Sequence, residues 1–173
     1  MTPGAPAAGM LQAAGLARRL ACLAYEGVLL FGVVMLAGLL YTLAAREQQA
    51  LVGALGLRVF LFVVLTLYFV WFWSRHGQTL AMRTWHVRLV THTGQPVGRW
   101  RAFSRYLLSW LWFLPALAML HFSGLKGIWP VFAAMLAGVL AYAALARLHP
   151  ERQFWHDAAC GTRLVIWQMP ARR

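Results

Sequence analysis

Apolar residues in this chain come in long, nearly unbroken runs, not at the three- and four-residue intervals of a soluble amphipathic helix. Between Arg19 and Arg46 lie 26 residues of which only Glu26 is charged, and a second run from Val52 to Trp73 is interrupted only by Arg58. Arg105 and Lys126 enclose 20 uncharged residues, and Lys126 and Arg147 enclose another 20. Crossing about 30 Å of hydrocarbon takes roughly 20 residues of helix. The pattern therefore predicts an all-α membrane protein with about four transmembrane helices, at residues 20–45, 52–73, 106–125 and 127–146. Arg58 lies about two turns from the start of its run, close enough for its long side chain to reach the interface. The first run is about twice the length of a signal-peptide core and reads as a retained span.

Between the spans the period changes. In the loop 74–105, Trp85, Val87 and Leu89 alternate with His86 and Arg88, the period of a half-exposed strand. Thr93 and Gly94 offer a turn, and Gln95 to Trp100 would return as a second strand. Thr162 to Trp167 is β-prone as well. Together they predict a small cytoplasmic β-hairpin or three-stranded cap. Met10 to Arg19 suits a short amphipathic helix on the membrane surface. Residues 1–14 read as a mobile tail, 15–167 as a single transmembrane domain and 168–173 as a basic C-terminal tail.

Composition supports lipid as the solvent: 61% of the residues are hydrophobic and 12% charged, about half the charged fraction of a soluble domain. The few charges fix an orientation. With the N-terminus, the central loop and the C-terminal tail on one side, that side holds thirteen of the arginines and the other only Arg46, Arg58 and Lys126. The positive-inside rule places both termini and the central loop in the cytoplasm. Trp71 and Trp73 at the end of the second run, and Trp110 and Trp112 early in the third, fit interfacial belts. The net charge of +12 is accounted for by this topology and by contact with anionic lipid headgroups, so no nucleic acid is expected as partner.

Candidate chemistry is sparse. No nucleophile elbow, HExxH or phosphate-binding glycine loop is present, and no enzymatic activity or cofactor is expected. His156, Asp157 and Cys160 lack a second cluster that would complete a metal site. Cys22 and Cys160 would both face the reducing side, which argues against a disulfide. Thr79, in the stretch Gly77, Gln78, Thr79, is a candidate helix cap. Ala133, Ala137 and Ala141 form a small-residue stripe that would let a helix of the same chain, or of a second copy, approach closely.

Several short motifs in order resemble the RDD family of small bacterial membrane proteins. They are the stretch from Gly15 to Glu26, then Phe72-Trp73-Ser74, Gly77-Gln78-Thr79-Leu80, Gly94-Gln95-Pro96, Arg105, His156-Asp157 and Gly161-Thr162. The family is named for an arginine and two aspartates. The resemblance matches the arginine to Arg19, with Arg18 a substitute, and the second aspartate to Asp157. Glu26 stands where the first aspartate is usual, one methylene longer. The resemblance implies a transport-related role and nothing more specific.

Arg19 and Glu26 lie two helical turns apart on one stripe, about 10 Å along the axis and too far for direct contact. Arg18 or Arg19 would pair with Asp157 while Glu26 faces the bundle interior. Two readings follow. Arg19, Glu26 and Asp157 form an ion-paired structural clasp, or Glu26 binds a proton or cation on a permeation path. Four helices enclose little volume, so transport would call for a homo-oligomer or a partner membrane subunit. The alternative is an accessory or assembly protein whose basic cap binds anionic lipid or a partner protein.

Overall fold

The computed structural model describes residues 12–44, 50–110, 113–124, 127–148 and 154–167. Residues 1–11, the tail 168–173 and Arg46, Trp112, Lys126 and Arg152 lie outside the described residues.

The protein is mostly helical. Helices α1 (Leu16–Ala44) and α2 (Ala50–Arg75) are followed by a short α3 (Leu80–Thr84) and strand β1 (Val87–Thr91). Then come α4 (Arg99–Ser109), α5 (Leu114–Ser123), α6 (Ile128–Leu148), α7 (Trp155–Ala159) and strand β2 (Thr162–Ile166). Among the described residues two helices, α1 and the 53–75 portion of α2, are long and apolar enough to cross a membrane. A soluble protein would bury such helices, yet their apolar side chains point outward: Val28 is 71% exposed and Phe31 67%. Helical backbone satisfies its own hydrogen bonds, so this apolar surface can face lipid.

The third predicted span, 106–125, is not one helix. α4 begins at Arg99, and a new helix, α5, starts at Leu114 with Pro115 in its first turn. Proline has no N–H to donate and its ring crowds the carbonyl four residues back, which disfavours an unbroken helix through this point and suits the first turn of a new one. α4 runs antiparallel to α2, with Tyr106 against Phe69 and Trp110 against Phe62. α5 packs mainly on α6. The alanine stripe of α6 faces outward: Ala133, Ala137 and Ala141 are exposed, and Ala134 and Ala143 are the buried ones.

Among the described residues the larger core cluster lies at one end, where α1, α2 and α4 meet the small sheet. Cys22, Trp73, Met82, Val87, Leu89, Val97, Ala102, Tyr106 and Leu164 cluster there. Trp73 belongs to this core and to no interfacial belt, whereas Trp71 is exposed.

The predicted hairpin also differs. β1 pairs antiparallel with β2, from Val87 opposite Ile166 to Thr91 opposite Thr162. The turn at Thr93 and Gly94 forms, with the Gly94 N–H on the Thr91 carbonyl and the Thr91 N–H on the Gln95 carbonyl. The return arm stops there, because Pro96 has no donor for a ladder, Val97 turns into the core and Gly98 caps α4. A third segment does join the sheet, from the N-terminus. Ala13 bridges Val165, the Ala14 N–H donates to the Leu164 carbonyl at 3.0 Å, and the Ile166 N–H donates to the Gln12 carbonyl at 2.9 Å. Residues 12–15 are therefore not part of a surface helix, and the helix starts at Leu16.

Candidate functional site

α1 spans about 43 Å at 1.5 Å per residue, well beyond the hydrocarbon thickness. Its first turns therefore enter the core at the sheet end, where Arg19, Cys22 and Glu26 are its buried residues on one stripe. Glu26 is 6% exposed. One carboxylate oxygen accepts the Tyr68 hydroxyl of α2 at 2.7 Å, and the other accepts the Thr79 hydroxyl at hydrogen-bond contact. Among the described residues no cationic side chain pairs with it. Two charge-assisted hydrogen bonds at about 1.5–3 kcal/mol each are comparable to the roughly 2.5–3.5 kcal/mol a charged residue costs at a span centre. Hydroxyl donors alone are thus enough to hold the carboxylate.

Thr79 is positioned by the two residues before it. Gly77 has a φ of 68°, a left-handed conformation open to glycine at no steric cost. A Cβ there would lie 2.9 Å from the Leu89 carbonyl oxygen. The close approach lets the Gly77 carbonyl accept the Leu89 N–H at 2.7 Å, while the Gln78 side-chain amide donates to the Val87 carbonyl at 2.8 Å. These bonds close the outer edge of β1. Thr79 then caps α3, its hydroxyl oxygen accepting the Met82 N–H at 3.3 Å while its proton goes to Glu26. One hydroxyl therefore ties a membrane helix to the cap.

Asp157 belongs to a separate cluster. It is fully buried on α7, and its Oδ1 accepts Arg105 Nε at 2.6 Å. The Arg105 guanidinium lies 4.2 Å from the Trp73 ring centroid. Thr162 donates to the Asp157 backbone carbonyl at 3.2 Å, with its hydroxyl 3.4 Å from Oδ1. Burial pushes the Asp157 carboxyl upward, but the Arg105 charge, then the field of the neighbouring His156 ring, the Arg105 hydrogen bond and the Arg19 charge outweigh it and hold the group below its ordinary range.

The rings of His156, Phe154 and Tyr142 lie near-parallel and mutually adjacent, with His156 5.7 Å from Phe154 and 6.0 Å from Tyr142 between centroids. Its Nδ1 lies 3.1 Å from the Tyr142 hydroxyl, which also accepts the His156 backbone N–H, and its Nε2 lies 3.5 Å from Asp157 Oδ1. That pattern fits a neutral ring with the proton on Nε2. Burial lowers its pKa to about 4, with Asp157 opposing and Arg105 and Arg19 reinforcing the shift.

The expected partner of Asp157 was Arg18 or Arg19, and the structure supplies Arg105 instead. Arg19 is buried with its guanidinium 5.5 Å from the Phe154 ring centroid, and it reaches Asp157 only through its field. The cluster expected from Arg19, Glu26 and Asp157 is thus two sites: a carboxylate held by hydroxyls and a carboxylate held by an arginine. Tyr68 was missed. Its signal was depth, since Glu26 stands ten residues inside α1 and Tyr68 seven residues from the end of α2, which places them level in an antiparallel pair. Among the described residues no group of three or more His, Cys, Asp or Glu side chains gathers to hold a metal. Cys22 and Cys160 are free.

A model of the RDD family matches residues 13–161. No curated protein and no solved structure matches the chain.

Proposed function

The chain belongs to the RDD family, and from that premise we propose that it is a non-enzymatic multi-pass protein of the bacterial inner membrane that moves a proton or small cation, with Glu26 as the site the ion visits. The observation that carries this reading is the donor set of Glu26: two neutral hydroxyls and, among the described residues, no cation. A guanidinium would pin the charge, because protonating its partner leaves a buried cation uncompensated. Hydroxyls both donate and accept, so Tyr68 and Thr79 can serve the ionised carboxylate and, by turning, its protonated form. Such a carboxylate can cycle its charge without breaking an ion pair.

In this reading the membrane is crossed four times, with α4 and α5 together forming the third passage and both termini in the cytoplasm. The thirteen-to-three division of basic residues supports it. Four helices leave little room for a path, so a second copy or a partner membrane subunit is expected to complete it.

The accessory alternative, in which the charged groups are a structural clasp, draws its support from Asp157, whose ion pair with Arg105 is of that kind. One experiment separates the two. Proton and sodium flux is measured in vesicles reconstituted with the native chain, Glu26→Gln and Asp157→Asn. Loss of flux in Glu26→Gln with helicity retained, and flux per folded molecule preserved in Asp157→Asn, is expected. Undiminished flux in Glu26→Gln would refute the ion-site reading.

A further inference from the structure

The outer face of α4 has no role in either cluster. Its inner face buries Ala102, Arg105 and Tyr106. On the opposite side Trp100 and Ser104 occupy the centre, with Arg99 and Arg101 on the flanks, as the 100° step of a helix dictates. Trp100 is 83% exposed. These residues, with Cys160 from the turn after α7, line a groove of about 670 Å³.

The level of this groove follows from the packing of α4 on α2. Arg105 meets Trp73 near the C-terminal end of α2, while Tyr106 and Trp110 run back along Phe69 and Phe62 into the apolar stretch. Arg101 and Arg99 lie about 6 and 9 Å beyond Arg105 along the axis. That puts them where the apolar surface ends and the polar interface begins. Tryptophan and arginine side by side at that level suit a headgroup layer. The charge is one-sided as well: among the described residues both carboxylates, Glu26 and Asp157, are buried, so nothing acidic on the described surface offsets the two arginines.

We infer that the groove at the start of α4, lined by Arg99, Trp100, Arg101 and Ser104, binds the phosphate headgroup of an anionic phospholipid. Arg99 and Arg101 hold the phosphate, Ser104 donates a hydrogen bond and Trp100 lies at the base of the acyl chains. This site is independent of ion movement at Glu26.

The test uses the full chain in a zwitterionic detergent, titrated with short-chain phosphatidylglycerol or phosphatidylcholine. The native protein should prefer phosphatidylglycerol. Arg99→Gln with Arg101→Gln should weaken that binding about 25-fold, from two arginine contacts at roughly 1 kcal/mol each and 1.4 kcal/mol per factor of ten. Arg75→Gln with Arg83→Gln removes the same charge from other exposed positions and should change it less than about threefold. Equal weakening by the two pairs would mean a diffuse field and overturn the site. So would equal affinity for the two lipids, or displacement by millimolar inorganic phosphate, which would make a soluble anion the occupant. Unchanged far-UV circular dichroism in both variants excludes misfolding as the cause.

Discussion

Removing either partner of the Asp157–Arg105 pair should destabilise the cap more than any other single change of charge in it. Asp157 is fully buried and the Arg105 side chain is 7% exposed, with 2.6 Å between Nε and Oδ1. Taking away one partner of such a pair costs about 3–5 kcal/mol, because the other charge stays in the interior uncompensated. Trp73 beneath the guanidinium would still supply a cation–π contact of about 0.5–2 kcal/mol, so Asp157→Ala belongs at the lower end, near 3 kcal/mol. Asp157→Asn keeps an acceptor for Nε and loses only the charge, for about 1–2 kcal/mol. Arg105→Met alone strands Asp157 and should cost as much as Asp157→Ala. The double variant removes both charges and should cost at least about 2 kcal/mol less than the two single losses added together. The measurement is unfolding of the full chain in mixed micelles by titration with an anionic denaturing detergent, read by circular dichroism. Losses that add to within about 0.5 kcal/mol would show the two residues uncoupled and refute the clasp.

Two further outcomes are expected. His156 has a pKa of about 4 in the fold against roughly 6.5 unfolded, so above pH 6.5 it is neutral in both states, and between 6.5 and 4 only the unfolded chain takes up the proton. Stability should fall by up to about 3 kcal/mol as pH drops through that window; His156→Gln should flatten the slope, and a native profile flat from pH 7 to 4.5 would contradict the burial argument. Gly77→Ala should destabilise by about 1–3 kcal/mol, since its Cβ would lie 2.9 Å from the Leu89 oxygen at a φ of 68°; a thermal midpoint at or above that of the native chain would show that no close approach constrains the site.

The helices were legible because apolar run length maps directly onto membrane thickness. α1 and α2 come out within a few residues of the expected bounds. The break between α4 and α5 was signalled by Pro115 alone, and a run of 20 uncharged residues hides it. The strand around Leu89 was legible from its period, but its partner was not. Strand pairing depends on which edges the tertiary fold brings together, and β2 lies more than seventy residues away. Glu26 and Asp157 stood out as rare charges, whereas Tyr68 is an ordinary residue within an apolar run. Arg105 is one arginine among many, and nothing in its spacing favours it over Arg19 as the partner of Asp157. What selects it is the packing of α4 on α2, which sets its guanidinium on Trp73.

The position of β2 between the N-terminal segment and β1 has a consequence in time. On the ribosome, residues 12–14 and β1 are made first, and the strand that joins them comes last. At about 5–20 residues per second the interval from Thr91 to Thr162 is roughly 4–14 seconds. Through that interval the β1 edge that will meet β2 is open, and an open edge invites pairing with other chains. The lipid-facing helices can insert one after another as they emerge. The cap closes only once β2 has been made, so a chain cut short before Thr162 would leave the ribosome inserted but unlatched.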